Sequence, residues 1–436
     1  MAGRNVWRNW GRNQRCAPVA VETPESELEV VEAMRRAATA GQRVKVAGAG
    51  HSFTDIACTD GRLLLLDGLD RVVAVDRERG VVTVEGGIPL WKLNEELAAR
   101  HLAMPNLGDI DRQSISGAIS TATHGAGASF GGLATGVIGL EIVAADGEVL
   151  RCSAREEPEV LACARVSLGA LGVITKVTLQ CVPAFRLDSL ERPTTFDDLL
   201  GGFDSLVDGN EHVDMYWWPH TDVATVKVSN RSDAPVRRRS PYRTWRDEVL
   251  LGNYLFGAVS AAGRFRSAWV PSLMHQTASS LGRTHVVDDS HRVLCTRRLV
   301  RFVEMEYAVA RAELAGALHD VRALIEDRGI PVDFPVELRV AAADDIPLST
   351  AHGRETAYLA VHMSSGRVHE EYFRGVEAIM DTHDGRPHWG KLHYQRATTL
   401  RSRYPEWDRF QAVRVRLDPN GRFGNVYLDR VLGPVG

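Results

Sequence analysis

Gly48-Ala49-Gly50-His51-Ser52 sets small residues, an imidazole and a hydroxyl directly after the apolar run Val44 to Ala47. Glycines without a Cβ let successive backbone N–H groups approach a pyrophosphate, so the run reads as a nucleotide site. A G-x-G by itself is a weak sign, equally compatible with a tight strand-to-loop turn. It is also not the usual dinucleotide fingerprint, because no G-x-x-G continues into a long helix. Instead His51 closes the glycines, where a flavin ring could lie. A second loop, Ser114 to Gly127, offers Ser114, Gly117, Thr121, Ala122, Thr123 and His124, with hydroxyls and backbone donors suited to the other side of a diphosphate. Two such loops could clamp FAD.

Two further groups could do acid–base or charge-stabilising work. Glu337 and Arg339 fall in the apolar stretch Phe334 to Ala343, where strand alternation puts both charges on one face. Taken alone, such a pair is more often a surface ion pair. Lys391 closes His388-Trp389-Gly390-Lys391, where an isolated lysine after a tight turn would be unremarkable. Other catalytic sets do not compete. Ser167-Leu168-Gly169 lacks the G-x-S-x-G frame, and His383, His388 and His393 are spaced unsuitably for one helical metal face, so no metal is expected.

These residues need elements to hold them. Glu25 to Ala40 carries apolar positions at helical spacing, followed by strands at Val44 to Ala47, Leu63 to Leu66, Val72 to Val75 and Val81 to Val84. Pro89 to Arg100 reads as the next helix, and Val137 to Ala144 and Gly172 to Gln180 as further strands. The composition shifts after Pro183: aromatics such as Tyr216, Trp217 and Trp218 appear, and a helix at Ala310 to Arg328 precedes a strand at Val336 to Ala341. The expected organisation is α+β. A first, cofactor-binding domain spans 1–183, an α/β cap or substrate domain 184–385, and a segment 386–436 returns to the first domain. Val249 to Gly263 is too short to span a membrane and reads as a core or interdomain helix. The arginines at 237 to 239 read as a solvated loop.

With 436 residues and 44% apolar content the chain can bury two cores. A net charge of −4 gives no footprint for nucleic acid or an anionic membrane. Cys16, Cys58, Cys152, Cys163, Cys181 and Cys295 form no C-x-x-C pair, and the first residues hold no apolar leader, so free thiols and a cytoplasmic location are expected.

The motifs GAGHS at 48–52, TATHGAG at 121–127, SLGALGVITKVTL at 167–179, PHWGK at 387–391 and DPNGRFGNVY at 418–427 together make the resemblance specific. The chain resembles the aldonolactone oxidoreductase branch of the vanillyl-alcohol oxidase flavoprotein superfamily, which includes gulono-, galactono- and arabinono-1,4-lactone oxidases and dehydrogenases, with sugar-alcohol oxidases nearby. The match covers nearly the whole chain and is weakest at 185–300. It implies a PCMH-type FAD-binding fold with a cap, and FAD joined through its 8α-methyl to His51. The second loop holds no cysteine, so a single bond is expected. FAD contacts are implied from Ala47, Gly48, Ala49, Gly50, His51 and Ser52, from Ser114, Gly117, Thr121, Ala122, Thr123 and His124, from Gly172, Val173 and Ile174, and from His388.

The same resemblance implies that Glu337 and Arg339 line the active site above the flavin and that Lys391 lies near flavin N1. Hydride would pass from a substrate carbinol to flavin N5, with O2 or another acceptor reoxidising the flavin. Asp109 and His362 stand where the sugar-alcohol oxidases carry Ser and Thr, which favours a lactone, or another polyol-like substrate, over an alditol. Gly108, if beside flavin C4a, leaves room for oxygen. An alditol oxidase, a tailoring oxidase for a larger substrate and a non-catalytic flavin carrier are the alternatives.

Overall fold

The alternation of short apolar runs with amphipathic segments resolves into three principal sheets. The structure is a computed structural model that describes residues 6–238, 266–296 and 300–435. The predicted helix Val249 to Gly263 and Arg239 lie outside the described residues. A parallel three-stranded sheet takes the order Ala20–Glu22, Arg62–Leu65, Val44–Ala47. It packs with the helix Glu27–Thr39, whose N-terminus is capped by the Ser26 hydroxyl and whose face of Val30, Val31, Ala33, Met34 and Ala37 is buried. An antiparallel five-stranded sheet follows, ordered Val149–Ser153, Val137–Val143, Val173–Gln180, Val81–Glu85, Val72–Asp76.

The third sheet has eight strands. Its order is Thr284–Asp289, Arg186–Thr195, Val223–Arg231, His212–Trp217, Val336–Ala341, Thr356–Ser364, Phe302–Ala310, Arg386–Pro387. The helices Leu314–Asp327 and Glu370–Thr382 join Met215, Trp217, Leu338, Leu359 and Met305 in one apolar core. Every second residue of the central strands therefore faces those helices. The residues between them face the other way, toward the flavin-type loops.

Most predicted elements appear within a residue or two of their expected ends. The predicted helix Pro89 to Arg100 is Leu90–Ala98 with Pro89 as its N-cap. The one at Ala310 to Arg328 starts with a 3-10 turn, Arg311–Glu313, and continues as Leu314–Asp327. The chain from 386 first adds the edge strand Arg386–Pro387 beside Phe302–Ala310. Only afterwards do Trp389, Tyr404, Phe410, Leu417 and Tyr427 enter the core shared with Leu90, Ile115 and Leu140. Of the two described arginines in the triplet, Arg238 makes a paired contact of 2.8 Å with each Asp288 oxygen, so this loop is tied to a sheet edge rather than free in solvent. Among the described residues no helix is long and apolar enough to cross a membrane.

Candidate active site

The strand Val44–Ala47 delivers Gly48–Ser52 against the second loop. At Gly48 the two touch: a Cβ there would stand 2.1 Å from the Ser114 hydroxyl oxygen. Gly50 turns the loop with φ +69, a conformation costly for other residues. Ser114 in turn caps the short helix Ile115–Ser120, its hydroxyl accepting from the Gly117 amide. Between these loops and the 168–174 segment runs a groove lined by Ala47, Gly48, Ala49, Gly50, His51, Ser52, Ser114, Gly117, Thr121, Gly172 and Ile174.

This groove fits an adenine dinucleotide diphosphate. The amides of Gly50, His51 and Ser52 donate no hydrogen bond among the described residues, which leaves a row of donors on a glycine turn of the kind that binds anionic oxygens. Lys45, missed in the sequence, lies under the groove with Nζ held by the carbonyls of Gly169 (3.3 Å) and Phe423 (3.2 Å), and burial pushes it down to about 7.

Two of the expected residues turn their side chains into the core. Val173 is fully buried in the core beside the helix Glu27–Thr39, because strand alternation turns it away from Gly172 and Ile174. Ala122 packs in the first core in a left-handed conformation, φ 62, at the turn that ends the Ile115–Ser120 helix.

His51 stands where the groove opens into a second cavity and lines both. Trp10, from the N-terminal hairpin, stacks on its ring at 5.3 Å and 26°. Burial, then the charges of Lys391 and Arg112, push His51 down to about 4, so its ring is neutral at ordinary pH.

The cavity's wall is the inward face of the eight-stranded sheet. Tyr216 pairs across to Glu337, Glu337 to Ala360 and Ala360 to Glu306, while one row away Glu304 pairs with His362. Arg339 Nη2 bonds Glu337 at 2.6 Å and its Nε bonds Asp214 at 3.0 Å, while the Tyr216 hydroxyl donates to Glu337 at 3.0 Å. Burial works against the Arg339 charge, but Glu337 and Asp214 overcome it and hold the guanidinium well above its usual range.

Lys391 reaches the same wall from the loop after Arg386–Pro387. Its ammonium bonds Glu304 and lies 3.8 Å from Glu306. Burial would lift Glu304, yet Lys391 and His362 hold it down at about 2. Glu306 is held low in the same way, chiefly by His124, whose Nε2 meets it at 2.6 Å while Nδ1 faces the Gly125 carbonyl at 2.9 Å. Both His124 nitrogens thus face acceptor oxygens. His388 differs: its Nδ1 accepts from the Gly390 amide at 3.1 Å, and burial pushes it to about 4.

Thr123, Asp109 and His362 also line the cavity, Asp109 accepting from the Thr296 hydroxyl at 2.7 Å. Two sets, His124–Glu306–His388 and Glu304–Glu337–His362, bring ligand-type atoms within 4.8 Å of one another. Each carboxylate in them already carries a cationic or hydrogen-bonding partner. Glu304, Glu306, Asp214, Tyr216 and Trp10 were not anticipated. The signal for the two glutamates was present in Phe302-Val303-Glu304-Met305-Glu306-Tyr307, where charges alternate with apolar residues as they do at Glu337 and Arg339.

A groove for a dinucleotide that ends at a half-buried histidine, beside a wall of paired charges, is the layout of an FAD-dependent oxidoreductase. Residues 18–153 match the family described as FAD binding domain, and residues 177–431 match D-arabinono-1,4-lactone oxidase. The chain belongs to the D-arabinono-1,4-lactone oxidase family. It is 47% identical to an L-gulono-1,4-lactone dehydrogenase of Mycobacterium tuberculosis over 98% of this chain and 99% of that one. It is 34% identical to the L-gulonolactone oxidase of Bos taurus over 98% of each. In fold it is similar to a cholesterol oxidase from B. sterolicum, with TM-score 0.82, 19% identity and coverage of 98% of this chain and 97% of that chain.

Proposed function

We propose that this chain oxidises an aldono-1,4-lactone of the L-gulono or D-arabinono type at a ring carbinol, using FAD joined covalently to His51. When bound, FAD supplies the two-electron oxidant and passes the electrons on to O2 or another acceptor. The observation that carries the reading is the convergence of Glu337, Arg339 and Lys391 on one cavity that His51 also lines.

Each residue has a task its surroundings support. A neutral imidazole has a nucleophilic nitrogen, so the depressed proton affinity of His51 suits it to attachment. Arg339, fixed by Glu337 and Asp214, presents a rigid guanidinium to substrate oxygens, and Glu337 can accept from a ring hydroxyl. Lys391 keeps a positive charge where negative charge builds up during the reaction. Asp109 and His362 would hold substrate, while Thr123 and His124, from the second cofactor loop, and His388 line the same cavity and would serve the cofactor. The cytoplasmic setting we propose is supported by six free thiols.

The test is steady-state turnover with L-gulono-1,4-lactone, D-arabinono-1,4-lactone and a set of alditols, using a dye acceptor and product analysis. Turnover of a lactone to its keto-lactone is the expected result. Turnover of alditols alone would replace this reading with a sugar-alcohol oxidase.

A further inference from the structure

A histidine that must present one ring nitrogen is commonly fixed by a hydrogen bond to the other. His51 has no such tether: among the described residues neither of its ring nitrogens is hydrogen-bonded. What holds its ring is Trp10, at the turn of the N-terminal hairpin in which Trp7–Arg8 pairs with Arg15–Cys16. The indole and imidazole centroids lie 5.3 Å apart with their planes at 26°, an offset stack in the favourable range. Both rings line the cavity, so the stack leaves the imidazole open on the side where chemistry would occur.

Trp10 is itself held on several sides. Its ring meets Phe302 edge-on at 5.6 Å and 71°, and Phe53 at 6.3 Å and 80°. Its amide donates to the Gly50 carbonyl at 2.8 Å, one residue before His51. Asn9 donates to the Ser52 carbonyl at 2.9 Å, and Asn13 and Gln14 donate to the Phe53 carbonyl at 2.7 and 3.0 Å. Phe302 opens the strand Phe302–Ala310 that carries Glu304 and Glu306. The indole therefore sits between the histidine loop and the cap sheet and has little freedom to swing away from the imidazole.

We propose that Trp10 is a positioning residue for flavin attachment, its indole face holding the His51 ring in the orientation that offers a nitrogen to the flavin 8α-methyl. The inference rests on the covalent attachment proposed above. In that step one methyl C–H bond and the imidazole N–H bond break, and an N–C bond forms. The two electrons pass through the flavin to O2, which takes up the two protons and leaves as hydrogen peroxide. Trp10 exchanges no proton in this. It contributes orientation, and attachment is slow whenever the nucleophile is free to turn.

The test uses full-length apoprotein mixed with FAD in air, with samples taken over time and precipitated in acid. Flavin that stays in the pellet is attached, and flavin retained by filtered, undenatured protein gives total binding. Trp10→Leu fills the place without a ring face and is predicted to bind FAD but attach it at least about tenfold more slowly than wild type. Trp10→Phe restores a face, and Asn13→Ala loosens the hairpin without touching the stack, so both are predicted to attach within about threefold of wild type. Attachment by Trp10→Leu at the wild-type rate would overturn the proposal. So would Trp10→Phe or Asn13→Ala as slow as Trp10→Leu, or a Trp10→Leu protein that binds no FAD, which would make Trp10 a binding residue instead. A wild type that releases all its flavin in acid would overturn the attachment to His51 itself, an outcome distinct from these.

Discussion

The Lys391 ammonium is bonded to Glu304, a carboxylate 4% exposed on the neighbouring strand, which also stands opposite His362 in the sheet. The cation proposed to stabilise the reaction is thus aimed by a residue of a different strand. Lys391→Ala is predicted to slow anaerobic flavin reduction by about 10²-fold, the usual loss for a removed electrostatic stabiliser, with FAD content unchanged. Glu304→Gln keeps the shape but removes the counter-charge and is predicted to slow reduction in the same direction by a smaller factor. Stopped-flow absorbance with a lactone substrate checks both, and unchanged reduction rates would remove this pair from the mechanism.

Arg339 is shared between Glu337 and Asp214. Arg339→Met leaves two carboxylates without their cation, a loss of about 3–5 kcal/mol in stability for a broken buried pair, and is predicted to lower both Tm and kcat/KM. Tyr216→Phe removes one hydrogen bond to the charged Glu337, about 1.5–3 kcal/mol, so kcat/KM is predicted to fall by no more than about 10²-fold. Thermal melts alongside kinetics separate the two variants. A Tyr216→Phe loss as large as that of Arg339→Met would contradict the arrangement.

His51 and His388 both titrate near 4 rather than at the usual imidazole value of 6.5. Their stabilising neutral forms are fully present above 6.5, and the unfolded chain takes up protons first as pH falls, so stability is lost between 6.5 and 4. Apoprotein Tm measured against pH is predicted to decline across that window, with a flatter decline in His388→Asn. The same slope in both proteins would show that His388 is not one of the groups responsible.

Gly108 lines the cavity with little room to spare: a Cβ would meet the His124 carbonyl at 3.1 Å and the Thr123 methyl at 3.3 Å. Gly108→Ala is predicted to slow reoxidation by O2 while leaving reduction by substrate within about threefold, since one methyl crowds the small-molecule path more than hydroxyl contacts on the opposite wall. Double-mixing stopped-flow resolves the two half-reactions, and equal effects on both would contradict it.

The strand Val44–Ala47 was legible as a short apolar run, and the shared face of Glu337 and Arg339 followed from strand alternation, but only the resemblance said that this face belongs to the site rather than to the surface. Glu304 and Glu306 carry the same alternation, yet no local pattern tells which strand will lie beside theirs. Sheet order, set by contacts distant in sequence, is what brings His362, Lys391 and His124 to them. Val173 shows the converse, since a motif read as continuous hides the fact that every second strand residue faces the core. Trp10 was beyond reach for another reason. Its hairpin consists of two-residue strands, too short for any periodicity to show.

The central claim is that a lactone carbinol reduces flavin held on His51. The direct measurement is anaerobic mixing of the purified yellow protein with L-gulono-1,4-lactone, with wild type and His51→Ala side by side and each denatured afterwards to see whether flavin stays with the chain. The account predicts rapid bleaching in the wild type, flavin that remains attached after denaturation, and release of all flavin from His51→Ala. Bleaching by alditols but not by lactones, or flavin still attached in His51→Ala, would contradict it.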